Sequence, residues 1–179
     1  MHFARWLHEH ASHPLVRVFD VITLGGNAAV LFVLVTAIGI VLLRRARRSE
    51  AAVIALACGG AVLVNGLLKL IFHRPRPELA FVHLDTYSFP SGHAAVSTAT
   101  FTTIAFLLAR RYRSVGARAL IVVATALAII LVGFSRLYLG AHYLSDVLAG
   151  ISFGFAWAML CLLAYTLRGE RLNAWRRQP

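Results

Sequence analysis

The sequence predicts an all-α integral membrane protein: a helical bundle of about five transmembrane helices, preceded by an N-terminal amphipathic helix lying in the interface. Three observations carry this. The 179 residues are 59% hydrophobic with a mean hydropathy of +0.74, more apolar side chain than a water-soluble core of this size can hide. The apolar residues fall in five long segments, roughly 21–43, 51–72, 94–109, 118–134 and 143–167. Arginine clusters separate these segments in alternate loops, the pattern of a chain threading a membrane.

The elements come in order within one domain, 1–179: an interfacial helix at 1–20, the bundle at 21–167 and a cytoplasmic tail at 168–179. Phe3, Trp6, Leu7 and His10 recur at helical spacing with charges between them, as in a helix lying flat at a membrane surface. His2, His8, His10 and His13 suit that surface better than a metal site, having no acidic or cysteine partner among them. A crossing needs about 20 residues, which the first, second and fifth segments supply. The third and fourth are shorter and are expected to gain length from their polar flanks. Backbone polar groups in lipid must pair within the segment, so these spans are helices. Gly25-Gly26, Gly59-Gly60, Gly150 and Gly154 are expected to mark close helix contacts.

Charge orients the bundle. Arg44, Arg45, Arg47 and Arg48 come after the first span, Arg110, Arg111, Arg113 and Arg118 join the third to the fourth, and Arg168, Arg171, Arg176 and Arg177 come after the fifth. By the positive-inside rule this face is cytoplasmic, so the N-terminus and loops 73–93 and 135–142 lie outside. The net charge of +11 is then mostly a topology signal, and no nucleic acid partner is needed. Cys58 and Cys161 lie inside apolar runs, so no disulfide framework is expected. The first twenty residues lack a clean apolar stretch, so no signal peptide is expected.

Lys69, Arg74, Arg76, His93, Arg136, His142 and Asp146 break into apolar sequence, and the derived topology puts all of them at the outer helix ends. Ionisable groups at membrane depth are costly and usually functional. In Lys69-Leu-Ile-Phe-His-Arg-Pro-Arg-Pro77 the prolines end the helix and stiffen the turn, holding Arg74 and Arg76 above Lys69 as a grip for phosphate. In Phe89-Pro90-Ser91-Gly92-His93 the start of a helix offers free N–H groups to an anion, beside a histidine able to move a proton. His142 and Asp146 are four apart and are expected to share a helix face, the carboxylate fixing one imidazole nitrogen and freeing the other to attack.

Together these pieces resemble the type 2 phosphatidic acid phosphatase family of integral lipid phosphatases. Its pattern is lysine, six residues, Arg-Pro; Pro-Ser-Gly-His; and Ser-Arg, five residues, His, three residues, Asp. Lys69 to Arg76-Pro77, Pro90-Ser91-Gly92-His93, and Ser135-Arg136 to His142 to Asp146 match without a gap. The match selects Arg76 over Arg74. The resemblance implies a hydrolase in which His142 attacks phosphorus, Asp146 orients it and His93 protonates the departing oxygen. Lys69, Arg76, Ser91, Gly92 and Arg136 would hold the phosphoryl oxygens, with no metal and no cofactor. Many relatives have six spans where five are counted here.

The expected substrate is a membrane lipid phosphate or diphosphate taken from the outer leaflet: phosphatidic acid, phosphatidylglycerol phosphate or undecaprenyl diphosphate. The other expected partners are the surrounding membrane and, as an option, a second copy of the chain. Two alternatives stand beside hydrolysis: transfer of the phosphoryl group to a second lipid, and a non-catalytic lipid-phosphate binder or transporter. Binding alone needs only the cations, so His93, His142 and Asp146 favour catalysis.

Overall fold

The computed structural model describes residues 13–77 and 86–175. The predicted interfacial helix lies mostly outside them, as do His2, His8 and His10. Six helices are formed, and no strand, among the described residues: α1 (His13–Leu24), α2 (Ala28–Arg44), α3 (Arg48–Phe72), α4 (Gly92–Ala109), α5 (Val115–Tyr138) and α6 (Leu144–Trp175). Four of them, α3 to α6, are long and apolar enough to cross a membrane. The polar flanks lengthen the third and fourth predicted spans, to 18 and 24 residues.

The first predicted span is the one that differs. In place of one unbroken helix from 21 to 43, α1 continues to Leu24 and α2 begins afresh at Ala28, the pair bent by 42° at the break. The reason is local. Asn27 caps α2, its side-chain oxygen accepting the N–H groups of Ala29 at 2.9 Å and Val30 at 3.3 Å, which favours a new start over continuation. Gly26 is needed for a close approach. A Cβ there would lie 2.5 Å from Val132 Cγ1 and 3.0 Å from His93 Cβ. The turn is therefore pressed between α5 and the start of α4, and Phe19 adds a ring contact with Tyr138, 4.3 Å between centroids.

Helix α4 is the centre of the bundle. Ala94, Ala95, Ala99 and Thr98 are all buried, and small side chains let neighbouring helices come close. Gly150 and Gly154 of α6 face this helix: a Cβ on Gly150 would sit 2.6 Å from the Ser91 carbonyl oxygen, and one on Gly154 would strike Ala95. Gly60 meets Trp157 in the same way, whereas Gly59 faces open space. Outward positions carry Phe32, Leu63, Leu67, Leu120 and Ile130, an apolar exterior that suits lipid and not water.

Arginines of the first two clusters meet at one end of the bundle. Arg111 pairs with Glu50 at 3.1 Å, tying the α4–α5 turn to the start of α3, and Arg47 pairs with Glu50 as well. Arg110 lies 5.7 Å from the Tyr165 ring centroid of α6. The opposite end receives the ionisable residues of the three motifs.

Candidate active site

Helix α3 ends where the prolines require. His73 takes a left-handed conformation, φ 45°, its N–H closing on the Lys69 carbonyl, and the chain turns across the bundle end. Ser88 ties the return arm of this loop to its outgoing arm: its N–H donates to Arg74 O at 2.8 Å and its hydroxyl to Pro75 O at 2.9 Å. Lys69 and Arg76 are fastened by the same return segment. The Lys69 ammonium donates to Tyr87 O. Arg76 donates through Nε to Thr86 O at 2.6 Å and through one terminal nitrogen to the Thr86 hydroxyl at 2.8 Å.

Arg76 also reaches the nucleophile candidate. Its other terminal nitrogen donates to Ala141 O at 2.8 Å and lies 3.4 Å from His142 Nε2. The other imidazole nitrogen, Nδ1, lies 3.5 Å from Asp146 Oδ2, a separation that orients the ring without forming a short hydrogen bond. His142 and Asp146 are 3% and 0% exposed.

The spacing of these two residues predicts a shared helix face, and the structure corrects that. His142 lies in the turn before α6, and only Asp146 is helical. The pairing survives because Asp146 bends the chain back: Oδ2 accepts the Tyr143 N–H at 3.0 Å. This is the return half of a capping box, with the carboxylate at the third helical position and Tyr143 at the cap.

Ser91 caps α4 by backbone shape alone, without a side-chain hydrogen bond. Its hydroxyl is buried and makes no hydrogen bond. Its N–H donates to Asp146 O at 3.0 Å. The anion site expected at this helix start therefore comprises the Ser91 hydroxyl and the N–H groups beginning with Gly92, while the Ser91 N–H locks α4 to α6. His93 stands on the first turn, and the charges of Arg136, Arg76 and Lys69 and the His142 ring all bear on it. Arg136, 3% exposed, is anchored by α1: a terminal nitrogen donates to Thr23 Oγ1 at 2.7 Å, while Nε has no partner.

The electrostatics are lopsided. Lys69, Arg76 and Arg136 bond only neutral groups, and none forms an ion pair among the described residues. Asp146 is paired instead with Arg74, 2.7 Å from Oδ1. Arg136 is buried and Lys69 and Arg76 are half-buried; cations drawn out of water without counter-ions are costly, an arrangement that suits an incoming anion. Burial pushes the His142 imidazole down to about 4; Asp146 opposes this, and the cations Arg76, Arg136 and Lys69 reinforce it. Burial also lowers the Arg76 guanidinium, opposed by Asp146. At neutral pH the ring is thus uncharged, with Nε2 carrying a free electron pair toward the cations.

All eight expected site residues meet at this end. Further contributors lie outside the motifs. Thr23 carries no signal beyond its place near the first glycine pair. Thr86 and Tyr87 act partly through backbone oxygens, which no motif shows. Asn65 lies one turn below Lys69, buried, with its amide nitrogen 3.1 Å from where a Gly92 Cβ would be; a polar residue inside an apolar span is a readable signal.

Known proteins resemble this chain in sequence and in fold. Residues 50–170 match the model of the PAP2 superfamily. The chain is 31% identical over 178 residues to phosphatidylglycerophosphatase B of Bacillus subtilis, covering 97% of this chain and 80% of that one. It is 36% identical over 118 residues to lipid A 1-phosphatase of Rhizobium etli, covering 60% of this chain and 47% of that protein, so it spans about half of that relative. The crystal structure of a transmembrane PAP2-type phosphatidylglycerolphosphate phosphatase from Bacillus subtilis superposes with a TM-score of 0.83 at 29% identity, covering 89% of this chain and 80% of that one. Aquifex aeolicus LpxE shares the fold, with a TM-score of 0.66 at 24% identity over 89% of this chain and 92% of that one.

Proposed function

The chain belongs to the PAP2 superfamily and is a multi-pass membrane phosphatase of that type, and on that premise we propose that it hydrolyses a lipid phosphate through a phosphohistidine on His142. His142 Nε2 attacks phosphorus and the bond from phosphorus to the lipid oxygen breaks. His93 gives the departing oxygen a proton. A water then attacks phosphorus, losing its proton to His93; the phosphorus–nitrogen bond breaks and phosphate leaves with His142 restored. Lys69, Arg76, Arg136, the Ser91 hydroxyl and the Gly92 N–H hold the phosphoryl oxygens, which gather charge as the group transfers.

One observation carries this reading: three cations, lacking any carboxylate partner among the described residues, surround an uncharged imidazole that is backed by a buried aspartate. The cations fit a phosphate, and the oriented imidazole fits a nucleophile. The named activities of the Bacillus and Rhizobium relatives, both on lipid phosphates, support a lipid as the phosphate carrier. Phosphatidylglycerol phosphate is the first substrate to try, with phosphatidic acid and undecaprenyl diphosphate beside it.

The site would face the extracytoplasmic side, because the arginine clusters mark the other end as cytoplasmic. A fluorescent protein fused after Pro179 should then fluoresce, having folded in the cytoplasm; a dark fusion of normal abundance would reverse the orientation. For the activity, phosphate release from the purified protein should exceed a His142→Ala blank on at least one lipid of this panel. Equal release by both proteins on every lipid would refute the reading.

A further inference from the structure

Arg74 interrupts apolar sequence at this end, yet the reaction does not use it. We infer that Arg74 is a positioning residue that fixes the Asp146 carboxylate, and through it the His142 imidazole, a role that rests on the proposed use of His142 as nucleophile.

The two arginines of the Arg-Pro-Arg-Pro turn point to different work. Arg76 faces the pocket side of the imidazole, 3.4 Å from Nε2. Arg74 approaches from behind the carboxylate. One terminal nitrogen of Arg74 lies 2.7 Å from Asp146 Oδ1 and 2.7 Å from Ser145 Oγ, and the guanidinium carbon sits 4.4 Å from the centroid of the Tyr143 ring. Its carbonyl oxygen is held by Ser88. Pro75 between them stiffens the link. Backbone and side chain are therefore both anchored, and on residues that no phosphate would touch.

The two oxygens of Asp146 have separate partners. Oδ2 accepts the Tyr143 N–H and faces His142 Nδ1. Oδ1 has Arg74 as its charged partner. Without Arg74 a fully buried carboxylate would keep one oxygen unpaired, at the cost of a buried charge. Its plane would no longer be set from both sides, and the imidazole would lose a fixed backstop. Removing the outer partners that orient metal-bound histidines costs about 10–100-fold, and a loss of that order is expected for an imidazole oriented in the same way.

The test measures kcat and KM for phosphatidylglycerol phosphate in mixed micelles, with Arg74→Gln, Arg74→Lys, Asp146→Asn and the combined variants. Arg74→Gln should lower kcat about 10–100-fold and leave KM within about threefold. Arg74→Lys, which keeps the charge, should recover part of the loss. In the Asp146→Asn background Arg74→Gln should cost less than about threefold, since coupled residues do not add. A raised KM with intact kcat would make Arg74 a phosphate grip and overturn the inference, as would losses that multiply in the double variant. Should Arg74→Gln fail to fold in a melting assay, the same cycle run with Arg74→Lys decides: a kcat loss absent in the Asp146→Asn background supports the role, and an equal loss in both overturns it. Full activity of His142→Ala and Asp146→Asn would instead sink the nucleophile reading itself, a separate outcome.

Discussion

His142 Nδ1 and Asp146 Oδ2 lie 3.5 Å apart across the start of a helix, not along its face. The same carboxylate oxygen accepts the Tyr143 N–H, so one atom both closes the helix start and backs the imidazole. The stability of α6 and the aim of the proposed nucleophile are joined in a single side chain.

That joint position makes the pH dependence specific. Burial and neighbouring cations hold the His142 imidazole down to about 4, so it is uncharged and able to attack from about pH 5 upward, where an ordinary histidine near 6.5 would be largely protonated. Removing a cation from its side eases protonation, so the sign is upward. In Arg76→Gln the acid limb of kcat/KM should move to higher pH, along with a fall in rate. An acid limb that stays in place would show that Arg76 does not set the charge of this ring.

Arg136 depends on a helix far away in sequence. Its hydrogen bond to Thr23, 2.7 Å, is its one side-chain partner among the described residues, and bonds to charged groups contribute about 1.5–3 kcal/mol. Thr23→Val should therefore lower kcat/KM about tenfold, while Thr23→Ser, which keeps the hydroxyl, should stay close to wild type. Similar losses in both variants would point to packing of α1 and not to the hydroxyl.

The broken first span gives a structural prediction. Gly26→Ala would push a methyl group against Val132 and the His93 backbone. Overpacking of this kind costs about 1–3 kcal/mol, and here one of the crowded neighbours, beside Val132, is His93, the proposed acid. Melting of the detergent-solubilised protein should drop by several degrees, with activity falling further than in Gly59→Ala, where a Cβ meets nothing within 4 Å. Equal behaviour of the two variants would contradict the close approach.

How much of this is readable from sequence depends on how local each feature is. The three motifs are short runs, each with its own local signal: prolines after Lys69, a helix start at Gly92, and a histidine four residues before Asp146. They name the residues that meet. They cannot show how one run uses another. The helix start at Gly92 predicts N–H groups free for an anion, but the Ser91 N–H is spent on the Asp146 carbonyl. The motif match favours Arg76 and is silent on Arg74, whose partner Asp146 is 72 residues away. The break at residues 25–27 is hidden because hydropathy averages over a window and Asn27 alone hardly changes it. Asn65 is the missed signal within reach: a lone amide in an apolar helix, four residues before Lys69.

In the proposed reaction His142 itself carries the phosphoryl group. Rapid quenching of the purified protein with lipid bearing radiolabelled phosphate tests it most directly. The account predicts a protein-bound label that is stable to base and labile to acid, that maps to His142 and is absent in His142→Ala. Phosphate release at the normal rate with no such label, or the same label retained in His142→Ala, would contradict it.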